Sequence, residues 1–185
     1  FDQGAHVTAT GLTADTNTTY ADRVVALAQA TVDGQTYLFS ASTETYFTAP
    51  GITAWAVGAT GSLTASANID AATGLWIATP TALSVAHLGP QTFLIAAAAG
   101  TGSLTVMEVG SAGSLRVASH VLDTLDSRFA GVTALASLDL GGRSYVVAGG
   151  SDDGITVFQL LPGGRLLALA TLADTDQIGL AKISA

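Results

Sequence analysis

Carboxylates are the groups in this sequence best spaced to do chemistry. Asp123-Thr124-Leu125-Asp126, Asp174-Thr175-Asp176 and Asp15-Thr16-Asn17 set side-chain oxygens two or three residues apart. Short-range oxygen donors of this kind suit Ca²⁺, which gathers six to eight oxygen ligands. On that chemistry Asp123, Asp126, Asp174 and Asp176 are the expected calcium ligands. A simpler use competes with it, because an Asp-Thr step also caps a turn by accepting backbone N–H bonds. Capping accounts for the recurrence of the dipeptide without any cofactor and is the preferred reading.

Other reactive groups are few. His6, His87 and His120 are the only histidines, and no two stand at a metal-ligand spacing. His87 is the most interesting of the three, since it falls near a strand end where a channel mouth would lie. Arg23 and Arg128 each follow the Asp that opens a unit and precede its first strand, which suits an Asp–Arg tie between loops and, for Arg128, a binding surface. Tyr46 and Phe47 lie in a stretch where the first unit is longer than the third, so they are candidates for an exposed contact loop. Gly61-Ser62-Leu63 and Gly113-Ser114-Leu115 are repeat turns without the strand-turn-helix context of a nucleophile elbow. With no Cys there is no disulfide framework and no thiolate nucleophile.

The elements that must position these groups follow from composition and spacing. Of the 185 residues, 49% are hydrophobic and 11% charged, which excludes a charge-rich disordered segment and a coiled coil. The net charge of −8 makes nucleic acid and an anionic membrane surface poor partners. No window approaches 18 consecutive apolar residues, so no transmembrane helix is expected. The chain opens Phe-Asp-Gln without an initiator Met, as a processed or excised piece would.

An internal repeat organises the rest. Ile52, Leu104 and Ile155 are 52 and 51 residues apart, and so are Leu63, Leu115 and Leu166. Tyr37-Leu38-Phe39, Phe93-Leu94-Ile95 and Tyr145-Val146-Val147 open one strand of each unit. The turns before them recur in place as Val32-Asp33-Gly34-Gln35, Leu88-Gly89-Pro90-Gln91 and Leu140-Gly141-Gly142-Arg143. Asp15, Asp70, Asp123 and Asp174 recur at the unit boundaries, 55, 53 and 51 residues apart. Partial period-two alternation and Gly-rich turns make each unit four short strands, roughly 132–140, 143–149, 154–160 and 165–172 in the third. The Ala-rich stretch from Tyr20 to Ala30 aligns with 132–136 and reads as strand.

A four-stranded antiparallel unit repeated at about 51–55 residues predicts an all-β fold of β-propeller blades. A sandwich or a solenoid is the alternative, but a sandwich needs no such spacing. The chain then forms one partial propeller domain over 1–185, with units at about 15–69, 70–122 and 123–173 and flanking strands at 4–12 and 180–185. Three blades do not close a ring. A ring of six to eight blades would be completed by another chain, a second copy, or sequence lost to cleavage.

At these residues the chain resembles the seven-bladed propellers of the lactonase-like class, and it is similar to propeller repeats of large secreted RTX-type bacterial proteins. The stretch Tyr145-Val146-Val147-Ala148-Gly149-Gly150-Ser151-Asp152-Asp153-Gly154-Ile155-Thr156-Val157-Phe158, followed by Gly164-Arg165-Leu166, carries the resemblance best. It implies a seven-bladed ring, with sugar-lactone hydrolysis in some members and ligand or protein binding in others. No active-site motif is present to transfer. The RTX calcium nonapeptide Gly-Gly-x-Gly-x-Asp is also absent, since Gly149-Gly150-Ser151-Asp152 has Asp at the third Gly. The expected function is therefore a non-catalytic scaffold and binding module of a secreted or cell-surface protein. A lactonase-type hydrolase using a carboxylate-held divalent metal is the alternative.

Overall fold

Alternating apolar residues between glycine turns can satisfy their backbone groups and bury one side at once by pairing as hairpins. A computed structural model of the protein describes residues 19, 21–43, 49–175 and 179. It has twelve strands among them: β1 Val24–Val32, β2 Gln35–Ser42, β3 Gly51–Val57, β4 Leu63–Asp70, β5 Pro80–Leu88, β6 Gln91–Ala98, β7 Ser103–Val109, β8 Leu115–Leu122, β9 Ala134–Leu140, β10 Arg143–Gly149, β11 Gly154–Leu161 and β12 Arg165–Ala173. They form three antiparallel sheets ordered β1-β2-β3-β4, β5-β6-β7-β8 and β9-β10-β11-β12. These are three propeller blades, the all-β architecture that the repeat predicts. The Ala-rich stretch is strand β1. The expected flanking strands at 4–12 and 180–185 lie outside the described residues. No helix among the described residues is long and apolar enough to cross a membrane.

The repeat extends to details of the backbone. Two-residue turns join the first two strands of every blade, at Asp33-Gly34, Gly89-Pro90 and Gly141-Gly142. The third and fourth strands share a register shift at Ala54/Trp55, Val106/Met107 and Val157/Phe158. A left-handed residue precedes each first strand, with φ of 49° at Arg23, 52° at Thr79 and 54° at Gly131. The first strands β1, β5 and β9 lie side by side across the three blades. One end of the blades carries the two-residue turns, hereafter the turn end, and the other carries the longer blade-to-blade connections, the loop end.

The core lies between blades. Tyr37, Phe39 and Ile52 of the first blade meet Leu94, Met107 and Val109 of the second, with Leu75 and Ile77 from the connection. Phe93, Ile95, Leu104 and Val106 on the other face of the second blade meet Val146, Phe158 and Leu160 of the third, with Phe129 and Val132 from the next connection. Phe129 and Phe158 meet edge to face, with centroids 5.6 Å apart. The middle blade is thus enclosed on both faces, and Ala96, Ala97 and Ala98 are small enough for its neighbours to approach closely.

Candidate functional site

Register decides which side chains meet at the turn end. Ala86 pairs with Phe93, and both belong to the core shared with the third blade. Side chains alternate along a strand, so His87 and its partner Thr92 face the first blade. The same slot recurs in every blade, as the cross-strand pairs Thr31–Thr36, His87–Thr92 and Asp139–Ser144. In the first blade the two hydroxyls are 3.2 Å apart, and in the second His87 Nδ1 lies 3.2 Å from Thr92 Oγ1. The third blade breaks the pattern. Ser144 is 1% exposed and its hydroxyl has no partner.

Two grooves open around these slots. One of about 450 Å³ is lined by Gln29, Ala30, Thr31, Thr36 and His87, between the first and second blades. The other, about 260 Å³, lies between the second and third and is lined by His87, Leu88, Gly89, Asp139, Gly142, Arg143 and Ser144. His87, expected near a channel mouth, therefore sits where both grooves meet. On the outer part of the same end, the Arg116 guanidinium and the Gln91 amide both hydrogen-bond the Glu108 carboxylate. These contacts, the Arg116 bond foremost, hold Glu108 below its ordinary carboxylate value.

The loop end uses its polar groups on itself. Asp123 Oδ1 accepts from Ser127 Oγ at 2.7 Å and from Phe129 N at 3.2 Å. Asp70 Oδ1 accepts from Thr73 N at 3.0 Å, capping the short turn Ala71–Thr73. The Asp123 N–H donates to Gly102 O and, one blade on, the Asp174 N–H donates to Asp153 O, both at 2.8 Å. Asp126 is exposed, and its carbonyl accepts from Thr171 Oγ1 at 3.0 Å. Arg128 donates its backbone N–H to Thr156 Oγ1 at 2.7 Å and reaches the Asp152 carbonyl at 3.5 Å, packing its stem over Gly154. The Asp–Arg tie expected for Arg128 thus ends on a main-chain carbonyl rather than a carboxylate.

Asp123, Asp126 and Arg128 share one loop, and Asp174 stands one blade away. Asp176, Tyr46 and Phe47 lie outside the described residues. Among the described residues no three His, Asp or Glu side chains gather closely enough to hold a metal. Trp55 is buried with its Nε1 donating to Ser40 Oγ at 2.8 Å, whereas Trp76 is 71% exposed at the loop end. His120 Nδ1 lies 2.8 Å from the buried Thr105 hydroxyl. Asp139, Ser144 and Arg143 escaped the sequence reading. Asp139 and Arg143 flank the recurring Gly-rich turn, so the repeat alignment itself was the signal that could have found them.

No protein-family model matches the sequence, and no curated protein does. Solved structures do share its fold. A protein from Lactobacillus plantarum superposes with a TM-score of 0.61 at 18% identity, over 84% of this chain and 43% of its own. An exo-β-1,3-galactanase from Phanerochaete chrysosporium, solved with β-1,3-galactotriose, gives 0.55 at 9% identity over 80% and 35%. The periplasmic gluconolactonase PpgL of Pseudomonas aeruginosa gives 0.48 at 15% over 82% and 58%. The chain spans about two fifths of the length of the Lactobacillus protein.

Proposed function

We propose that this chain is a scaffold and binding segment of a larger β-propeller of six to eight blades, without a reaction of its own, in a secreted or cell-surface protein. One observation carries the reading. Phe93, Ile95, Leu104 and Val106 of the middle blade are buried against the third blade. Their counterparts one repeat on, Tyr145, Val147, Ile155 and Val157, are only half-buried on the third blade's outward face, beside the exposed Leu138 and Leu172. An apolar sheet face in this register suits a further blade of the same repeat, from another chain, a second copy or a longer form of this one. The resemblance to secreted repeat proteins supports the location outside the cell. The hydrogen bonds that Asp123 accepts within its own loop support capping as the use of the recurring Asp.

The mass of the native assembly, by light scattering with intact-mass analysis of every chain, tests the proposal. More than one chain, or a chain longer than this one, supports it, and an 18.4 kDa monomer overturns it. A hydrolase of lactonase type is the second reading, favoured by one observation: His87 and Asp139 line a single groove. Turnover of a sugar lactone that His87→Ala abolishes would establish it instead.

A further inference from the structure

Two apolar side chains at the loop end belong to neither core. Leu125 is fully exposed and Trp76 is 71% exposed, although Trp is ordinarily among the more buried residues. Looseness of the chain does not account for Trp76. Its neighbours Leu75 and Ile77 are buried between the first and second blades, the Leu75 N–H donates to Asp70 O at 2.7 Å, and Asp70 and Thr73 cap the turn before it. An aromatic side chain on a backbone fixed in this way loses little conformational freedom when a partner arrives. The repeat supplies an internal control. Arg128 holds the same place in the next connection, three residues before the left-handed Gly131 as Trp76 is before Thr79. Arg128 folds back on the third blade, its stem over Gly154 and its guanidinium at the Asp152 carbonyl. The Trp76 indole makes no such return, and its N–H has no hydrogen bond among the described residues.

The two exposed groups share one surface. Gly100 N donates to Ala78 O at 3.0 Å and Gly102 O accepts from Asp123 N at 2.8 Å, so the short loop 99–102 ties the segment carrying Trp76 to the segment carrying Leu125. Charge is divided unequally between the ends. Among the described residues the loop end carries seven Asp against Arg23 and Arg128, a formal −5. The turn end sets Asp33, Glu108 and Asp139 against Arg116, Arg143 and Arg165, a formal zero.

We propose that this surface docks a basic protein segment, an extended stretch of Lys or Arg interspersed with apolar residues, with Trp76 as its anchor. The partner's apolar side chains lie on Trp76 and Leu125, and its cations meet the indole face and the exposed Asp126. Charge selects this class. An acidic segment would be repelled by the loop end, and a neutral sugar could stack on the indole but would leave the charge difference between the ends without a use. The loop end faces neither neighbouring blade, so the inference does not depend on how the ring is completed.

Calorimetric titration of the full chain with the acetylated, amidated peptide Lys-Lys-Leu-Lys-Lys-Leu tests it. Saturable binding that weakens with added salt is expected, together with protection of Trp76 from acrylamide quenching. Trp55 is buried, so the quenching reports chiefly on Trp76. Trp76→Ala should weaken binding by about 10-fold or more, and Leu125→Ser by a smaller factor. Both positions are exposed, so the variants retain the fold. Peptides with Glu in place of Lys, or Ser in place of Leu, should bind at least about 10-fold more weakly. Absence of saturable binding at about 1 mM overturns the proposal. Binding that Trp76→Ala leaves unchanged overturns it too, as does equal protection of Trp76 by cellohexaose or by the Glu peptide.

Discussion

The two ends of the blades spend their polar groups differently. At the loop end, carboxylates, hydroxyls and backbone carbonyls are directed at one another: Asp123 holds Ser127 and Phe129, Asp70 holds Thr73, and Arg128 closes on Asp152. At the turn end, glycine turns need no side-chain support, and among the described residues the Asp139 and Arg143 side chains and the Ser144 hydroxyl make no hydrogen bond. A hydrogen bond made within the fold contributes to stability, whereas an exposed side chain that makes none contributes little. The loop end therefore ties its connections with side chains, whereas the turn end leans on tight backbone turns and a few side-chain pairs.

The sharpest way to break this division is to crowd the loop end. A Cβ at Gly150 would stand 2.1 Å from the Ala130 carbonyl oxygen, a backbone atom of the connection that crosses it. Gly150→Val should cost about 3 kcal/mol or more, or prevent folding, read as a lower midpoint in thermal or urea unfolding. A smaller effect follows from removing a cap. Asp123→Ala strands the Phe129 N–H and leaves the Ser127 hydroxyl only its bonds to Thr124, and should cost about 1–2 kcal/mol. Asp139→Ala, at the exposed turn end, should change stability by no more than about 0.5 kcal/mol. Equal losses for the two in matched unfolding curves would abolish the distinction.

The smallest effect belongs to the turn end's own ion pair. Because Glu108 in the folded chain stays charged below its ordinary value of 4.5, its pairing with Arg116 stabilises fully above that pH and fades as pH falls through the lowered value. Arg116 is largely exposed, so Glu108→Gln should cost about 0.5 kcal/mol or less at neutral pH. That difference should vanish in strong acid and shrink in high salt. A larger or salt-independent loss would mean that the turn end carries stability after all.

The blades were legible because their signals are local. Gly-rich turns, period-two alternation and recurring apolar markers fix strands and hairpins within about ten residues, and the third unit's strands fall within two residues of their expected bounds. His87 was legible as a strand-end residue beside a recurring turn. Ser144 was not, because a serine type carries no message until register sets it opposite Asp139 and the neighbouring blade buries it. The Asp123-Thr124 step was legible as a turn cap because capping operates over three or four residues. Which carboxylates share a groove depends instead on blade-to-blade packing, which no spacing along the chain encodes.

The strand order has a consequence for how the molecule is made. Among the described residues every paired strand is the immediate neighbour of its partner in sequence, so each of the three sheets closes through hairpins of small loop entropy. A growing chain can complete one sheet before the next has been synthesised. Until its successor arrives, each new sheet waits with an apolar face in water. Assembly of this protein is therefore set less by forming strands than by the docking of one finished sheet on the last, in chain order.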